Sequence, residues 1–193
     1  MNYLKYLFGI TTVIIYTLFN HCTCKIIHKN IDTHYGFSSM LVYAIPLFTF
    51  ITNNTLTYEN YTLIYIQSLI SFYYNVIRQQ KTTIKYWPVI YTIDTSFITI
   101  FPAKYLAFPP KYIYSIPLIN FIIHTYFPNS ELHSCLFAYS IFHVFTAKPH
   151  VIPFILPGML AQSSLYINTQ YETLLHKYLW HFSCGVAISQ ISF

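Results

Sequence analysis

The stretch "YENYTLIYIQSLISFYYNVIRQQKTTIKYWPVIYTIDTSFITIF", residues 58–101, holds two long apolar runs parted by one short basic break. The runs are continuous, with no strict alternation of apolar and polar residues, so they read as helices and not as the strands of a barrel. Each lies near the lower end of what crosses a ~30 Å hydrocarbon core. The same pattern recurs along the chain. Apolar segments fall at 37–53, 58–77, 86–103, 112–127, 132–147, 151–167 and 173–191, separated by brief polar breaks such as "PNSE", "AKPH" and "NTQYE". Connections this short force consecutive helices to run antiparallel.

Composition agrees. Of 193 residues, 55% are hydrophobic, 20% aromatic and only 8% charged, where an ordinary soluble domain carries about 25% charged residues. Five acids and ten Lys/Arg are too few to clothe a soluble fold of this size. The expected fold class is therefore all-α, a polytopic seven-helix membrane bundle over 37–191. Before it, residues 1–24 form a signal peptide or signal anchor, because one Lys precedes an apolar run from Tyr6 to Phe19. This start makes the endomembrane or secretory system a better expectation than the mitochondrial inner membrane.

The excess positive charge is spread over the connecting segments with no basic stripe, so nucleic acid is not an expected partner. The partners to expect are membrane lipid and, alternatively, the other subunits of a membrane complex. Cys22, Cys24, Cys135 and Cys184 have no zinc-ribbon spacing and read as small apolar thiols. Lys25, Lys29, Arg78, Lys81 and Lys85 favour a cytoplasmic side for their two links. The intervening loop, with sequons at Asn53 and Asn60, then faces the lumen.

Prolines punctuate the segments. Pro88, Pro102, Pro109, Pro110, Pro128 and Pro149 fall near helix ends or in first turns, where a missing N–H does no harm. Pro46, Pro117, Pro153 and Pro157 are expected inside spans.

Ionisable groups inside such segments are expensive and mark candidate sites. Asp94 is the one carboxylate at mid-span depth, and the last segment, "LLHKYLWHFSCGV", carries His176, Lys177 and His181. His124 and His143 lie in two others. Residues four apart are about 40° apart around a helix, whereas five apart are about 140°. Lys177 and His181 therefore share a face, and His176 joins them only across a π-bulge. Ser68, Ser71 and Asn75 recur at i, i+3 and i+7, giving the second segment a polar face.

These residues resemble the CREST superfamily of seven-helix membrane hydrolases, which includes alkaline ceramidases, adiponectin-type receptors and proteins that remodel GPI lipids. Its members carry Ser-x-x-x-His on the second core helix, Asp on the third and His-x-x-x-His on the seventh. In this chain Ser71 matches the serine, Asn75 stands at the first histidine position and Asp94 matches the acid. Lys177 stands at the second histidine position and His181 matches the third. Trp180, His181 and Ser183 are similar to the family's Trp-His ending with its following serine. The resemblance runs over about residues 37–191. It implies a lipid amide or ester hydrolase whose catalytic groups would be Ser71, Asp94 and His181, with Asn75 and Lys177 lining the site.

The resemblance also implies zinc, which would activate a water molecule, with His181 as one ligand. Two readings stay open. A further histidine (His176 through a bulge, or His124 or His143) completes a changed metal site, or the metal is lost. Loss has a physical rationale, because the Lys177 ammonium can stand in for the zinc charge, paired with Asp94. The expected function is then a lipid-binding, catalytically degenerate member. The alternative is a structural or accessory subunit of a large membrane assembly such as a respiratory complex. A Ser71–His181–Asp94 nucleophilic triad has no oxyanion-hole signature behind it.

Overall fold

The computed structural model describes residues 3–27, 32–55, 57–78, 87–127, 132–167 and 173–191, and these are all-α, with no strand among them. Among the described residues eleven helices, three pairs of which are parted by a single residue, make eight helical units: α1 (Tyr3–Ile27); α2 with α3 (His34–Ser38, Met40–Thr52); α4 (Tyr58–Ile77); α5 with α6 (Trp87–Ile98, Ile100–Tyr105); α7 with α8 (Pro110–Ile113, Ser115–Tyr126); α9 (Leu132–Ala147); α10 (Ile152–Ile167); and α11 (Leu174–Ile191). Each of the seven apolar segments is helical. Lys29, Lys81, Lys85 and Pro128 lie outside the described residues.

The interruptions have local causes. Ser38 Oγ donates to Tyr35 O and Ser39 Oγ to Gly36 O, so hydroxyls compete for the carbonyls of the turn where α2 gives way to α3. Thr99 Oγ1 does the same to Ser96 O between α5 and α6. Pro117 and Pro153, expected inside spans, sit instead in the first turns of α8 and α10, where no intrahelical N–H is needed. Pro46 and Pro157 lie inside α3 and α10. Between α9 and α10 the chain turns by 115° through a 3-10 turn at Pro149–Val151.

Helix α4 starts where Thr57 Oγ1 accepts from Asn60 N, with Glu59 in the first turn. Both features favour a helix N-terminus. Asn60 is buried and accepts from Lys104 Nζ, so its sequon is not presented by the folded chain. Asn53, in the turn after α3, is exposed. Glu59 also takes the Lys104 ammonium at 2.7 Å and the Tyr114 hydroxyl, which ties α4 to α6 and to the α7–α8 junction.

Helix α11 sits at the centre, packed on α3 and α10 and touching α2, α6 and α9. Its Ala187 and Ile188 join Tyr43, Phe50, Ile64, Ile141 and Ile155 in the main core. Close approach needs small residues at the contact. A Cβ on Gly158 would lie 2.2 Å from Ser183 Oγ and 2.5 Å from Leu179 O, and one on Gly185 would lie 2.5 Å from Leu41 O. Ser183 Oγ bridges the first contact, donating to Phe154 O and accepting from Gly158 N. Between α5 and α8 the glue is polar: Asn120 Nδ2 donates to Ser96 Oγ at 3.0 Å, and Thr92 meets His124 Nδ1 at 3.2 Å.

Helix α1 packs on α3 and α4. It extends past the expected apolar run because Asn20 and Cys24 are buried against the bundle and Thr33 holds His21 Nδ1. The outward faces are oily. Ile15 is 61% exposed, Phe19 65%, Leu118 59% and Leu160 60%. By length and apolarity, one stretch among the described residues, His34–Thr52, suffices to cross a membrane alone. The pair His133–Ala147 and Pro149–Ser163 passes only when taken together.

Gly158→Ala is expected to destabilise the fold by about 1–3 kcal/mol, the usual result of overpacking against backbone. Thermal unfolding in detergent checks this, with Leu160→Ala on the exposed face of the same helix as the control. An unchanged melting temperature for Gly158→Ala would mean that α10 and α11 do not pack this way.

Candidate functional site

Gln67, Ser71 and Asn75 follow one another on α4 at intervals of four, each about 40° on from the last. All three line one cavity of about 570 Å³. Its wall is completed by Val42 of α3, by Tyr91, Asp94 and Ile98 of α5, by His133 and Phe137 of α9, by Met159 and Gln162 of α10, and by Lys177, Trp180 and His181 of α11. Ser71, Asn75, Asp94, Lys177 and His181, singled out in the sequence from three separate segments, thus meet at one place.

The hydrogen bonds fix the orientation of the polar groups. Ser71 O can only accept, so Asn75 turns Nδ2 towards it at 2.8 Å, with Ser71 Oγ at 3.4 Å. The same amide lies 3.4 Å from His181 Nε2. At the other ring nitrogen, Ser38 Oγ stands 2.8 Å from His181 Nδ1. The single Ser38 hydroxyl proton goes to Tyr35 O, so Ser38 accepts the proton of Nδ1 and leaves the lone pair on Nε2. His181 is therefore held as one neutral tautomer by partners on α2 and α4. Asp94 accepts from Gln67 Nε2 at 2.9 Å.

The site is electrostatically mixed. Lys177 and His181 are buried, and Asp94 is half-buried against the cavity. The Lys177 charge acts on both Asp94 and His181, and the Arg78 charge is also felt at His181. Lys177 and Asp94 both line the cavity, and Asp94 takes a hydrogen bond from Gln67.

The chemistry open to this arrangement is limited. Ser71 Oγ has no hydrogen bond to His181, whose two ring nitrogens are occupied by Ser38 and Asn75. A Ser–His nucleophile pair is not assembled. Asn75, Lys177 and His181, which the resemblance would place at zinc-ligand positions, are an amide, an amine and an imidazole, and the first two are poor zinc donors. Among the described residues no three His, Cys, Asp or Glu side chains gather as a metal-binding group.

His176, His124 and His143 do not complete the set. α11 is helical throughout, without a π-bulge. His176 turns its Nδ1 to Thr173 at the start of that helix and does not line the cavity. His124 is engaged with Thr92. His143 is exposed, edge-on to Tyr105 and Tyr139.

No known protein family, curated protein or solved structure matches the chain.

Sequence reasoning passed over four residues of this neighbourhood. Gln67, and not Ser68, belongs to the cavity-facing stripe, and the four-residue spacing to Ser71 and Asn75 was the available signal. His133 lines the cavity near His124 and Tyr91, and Arg78 caps α4 at the rim. Ser38 carries no local motif and reaches His181 only through the fold.

Ser38→Ala should leave Nδ1–H of His181 without its acceptor and mix the two tautomers. The ¹⁵N spectrum of the His181 ring reads this directly, with Nδ1 protonated in the parent and both nitrogens shifting towards intermediate values in the variant. The loss of stability should be about 1–3 kcal/mol, the cost of a buried donor left unmet.

Proposed function

We propose that this chain is a multi-pass endomembrane protein, a degenerate relative of the ceramidase-like seven-helix hydrolases, that binds lipid in its central cavity without hydrolysing it. The observation that carries this reading is the convergence of Ser71, Asn75, Asp94, Lys177 and His181 on one cavity. In an accessory subunit whose buried charges only pair, nothing requires five such residues from three helices to face a common space of ligand size. The cavity is also two-sided, with apolar Val42, Ile98, Phe137 and Met159 beside the polar stripe of α4. An amphiphile needs that combination.

The oily outer faces of α1, α8 and α10 support a membrane setting, because contiguous exposed apolar surface on this scale is unfavourable in water. Buried polar pairs such as Asn120–Ser96 are the kind of contact that joins helices in lipid. Lys177 at a zinc-ligand position argues against metal-activated hydrolysis. A protonated ammonium cannot ligate, and in the same cavity as Asp94 it supplies the positive charge that the site would otherwise take from an ion.

Purified protein should contain zinc well below one equivalent, with no change on His181→Ala. Stoichiometric zinc that disappears in that variant would overturn the metal-free reading. The chain should also stay in the membrane pellet after alkaline carbonate extraction, and its release would remove the multi-pass assignment.

A further inference from the structure

Three residues that line the cavity hold amide oxygens with no hydrogen-bond donor among the described residues. Gln67 commits Nε2 to Asp94 and Asn75 commits Nδ2 to Ser71 O. These bonds decide which end of each amide remains: the oxygens, Gln67 Oε1 and Asn75 Oδ1. Both are buried and accept no hydrogen bond among the described residues, and neither does Gln162 Oε1 on α10. Gln67 is 1% exposed and Asn75 3%, and all three residues line the cavity. Buried acceptors left unmet are costly, so the wall is complementary to a molecule that brings donors.

Charge narrows the class. A phosphate or carboxylate head would accept from Lys177 but face the Asp94 carboxylate and three amide oxygens. An ammonium head would satisfy those oxygens but face Lys177, with Arg78 at the rim. A hydroxyl does both things at once, donating to an amide or carboxylate oxygen and accepting from the ammonium. It carries no charge into a low-dielectric space.

We propose that the ligand is a neutral amphiphile whose head is a small cluster of hydroxyl groups, of the monoacylglycerol type. The head is seated against Gln67, Asn75 and Gln162, and the chain lies along Ile98, Phe137 and Met159. This rests on the reading of the cavity as a lipid site and adds what the site selects.

The test is a head-group series on one tail. Protein purified in an amine-oxide detergent, which has no hydroxylated head, is titrated with 1-oleoylglycerol, oleate, oleylamine and methyl oleate. Trp180 in the cavity wall is the fluorescent reporter. 1-Oleoylglycerol should bind roughly tenfold tighter than each of the others. Gln162→Leu should weaken it several-fold while leaving methyl oleate unchanged, and Gln67→Leu should do the same where that variant folds.

Equal or tighter binding of oleate or oleylamine would overturn the neutral head. Equal binding of methyl oleate would show that the head is not read at all. Either result leaves the lipid cavity standing, whereas no binding by any oleoyl compound removes the cavity reading and this inference together.

Discussion

Helix α11 can occupy the centre of this bundle only because two neighbouring surfaces are bare at the contact points. Gly158 lets α10 approach the Leu179 carbonyl, and Gly185 lets α11 approach the Leu41 carbonyl of α3. The rest of the molecule depends on these two close approaches. With α11 at that depth, Lys177 and His181 are drawn below the surface, and α2 comes near enough for Ser38 to hold the imidazole. A side chain at either contact would move the helix that supplies Lys177 and His181 to the cavity.

The consequence for the site is a division of labour along α11. Its small residues, Ser183 and Gly185, serve the packing, while Lys177, Trp180 and His181 face the cavity. On α4 the division is by angle. Gln67, Ser71 and Asn75 look inward, while Ile64 and Leu63 join the hydrophobic core. Both helices pack with one face and line the cavity with another, so neither face can drift far without disturbing the other. The cavity is thus a by-product of how the bundle closes, furnished with polar and ionisable groups.

Much of this was legible in the sequence because it depends on local periodicity. Continuous apolar runs gave helices at 58–77 and 132–147 with the observed bounds, and the shared face of Lys177 and His181 followed from the helical repeat. Breaks inside an apolar run were harder to read. The hydroxyls of Ser39 and Thr99 interrupt helices through hydrogen bonds to their own backbone, and Thr is common enough here that no single one stands out. Pro117 and Pro153 were expected inside spans whose apolar segments begin at 112 and 151; the helices begin at Ser115 and Ile152, which leaves both prolines in first turns. The partners of His181 were illegible for another reason. Ser38 is separated from it by most of the chain, and no spacing rule reaches that far.

The sharp elbow between α9 and α10 is fastened to the far end of α11. Lys148, beside Pro149, donates through Nζ to both the backbone and side-chain oxygens of Gln190, each at 3.3 Å. From Gln190 back to Lys177 runs one unbroken helix, a rod of about 20 Å at the standard rise per residue. The elbow and the cavity's ammonium are therefore the two arms of a single lever. A displacement of the α9–α10 elbow would therefore be carried to Lys177 along the axis of its own helix.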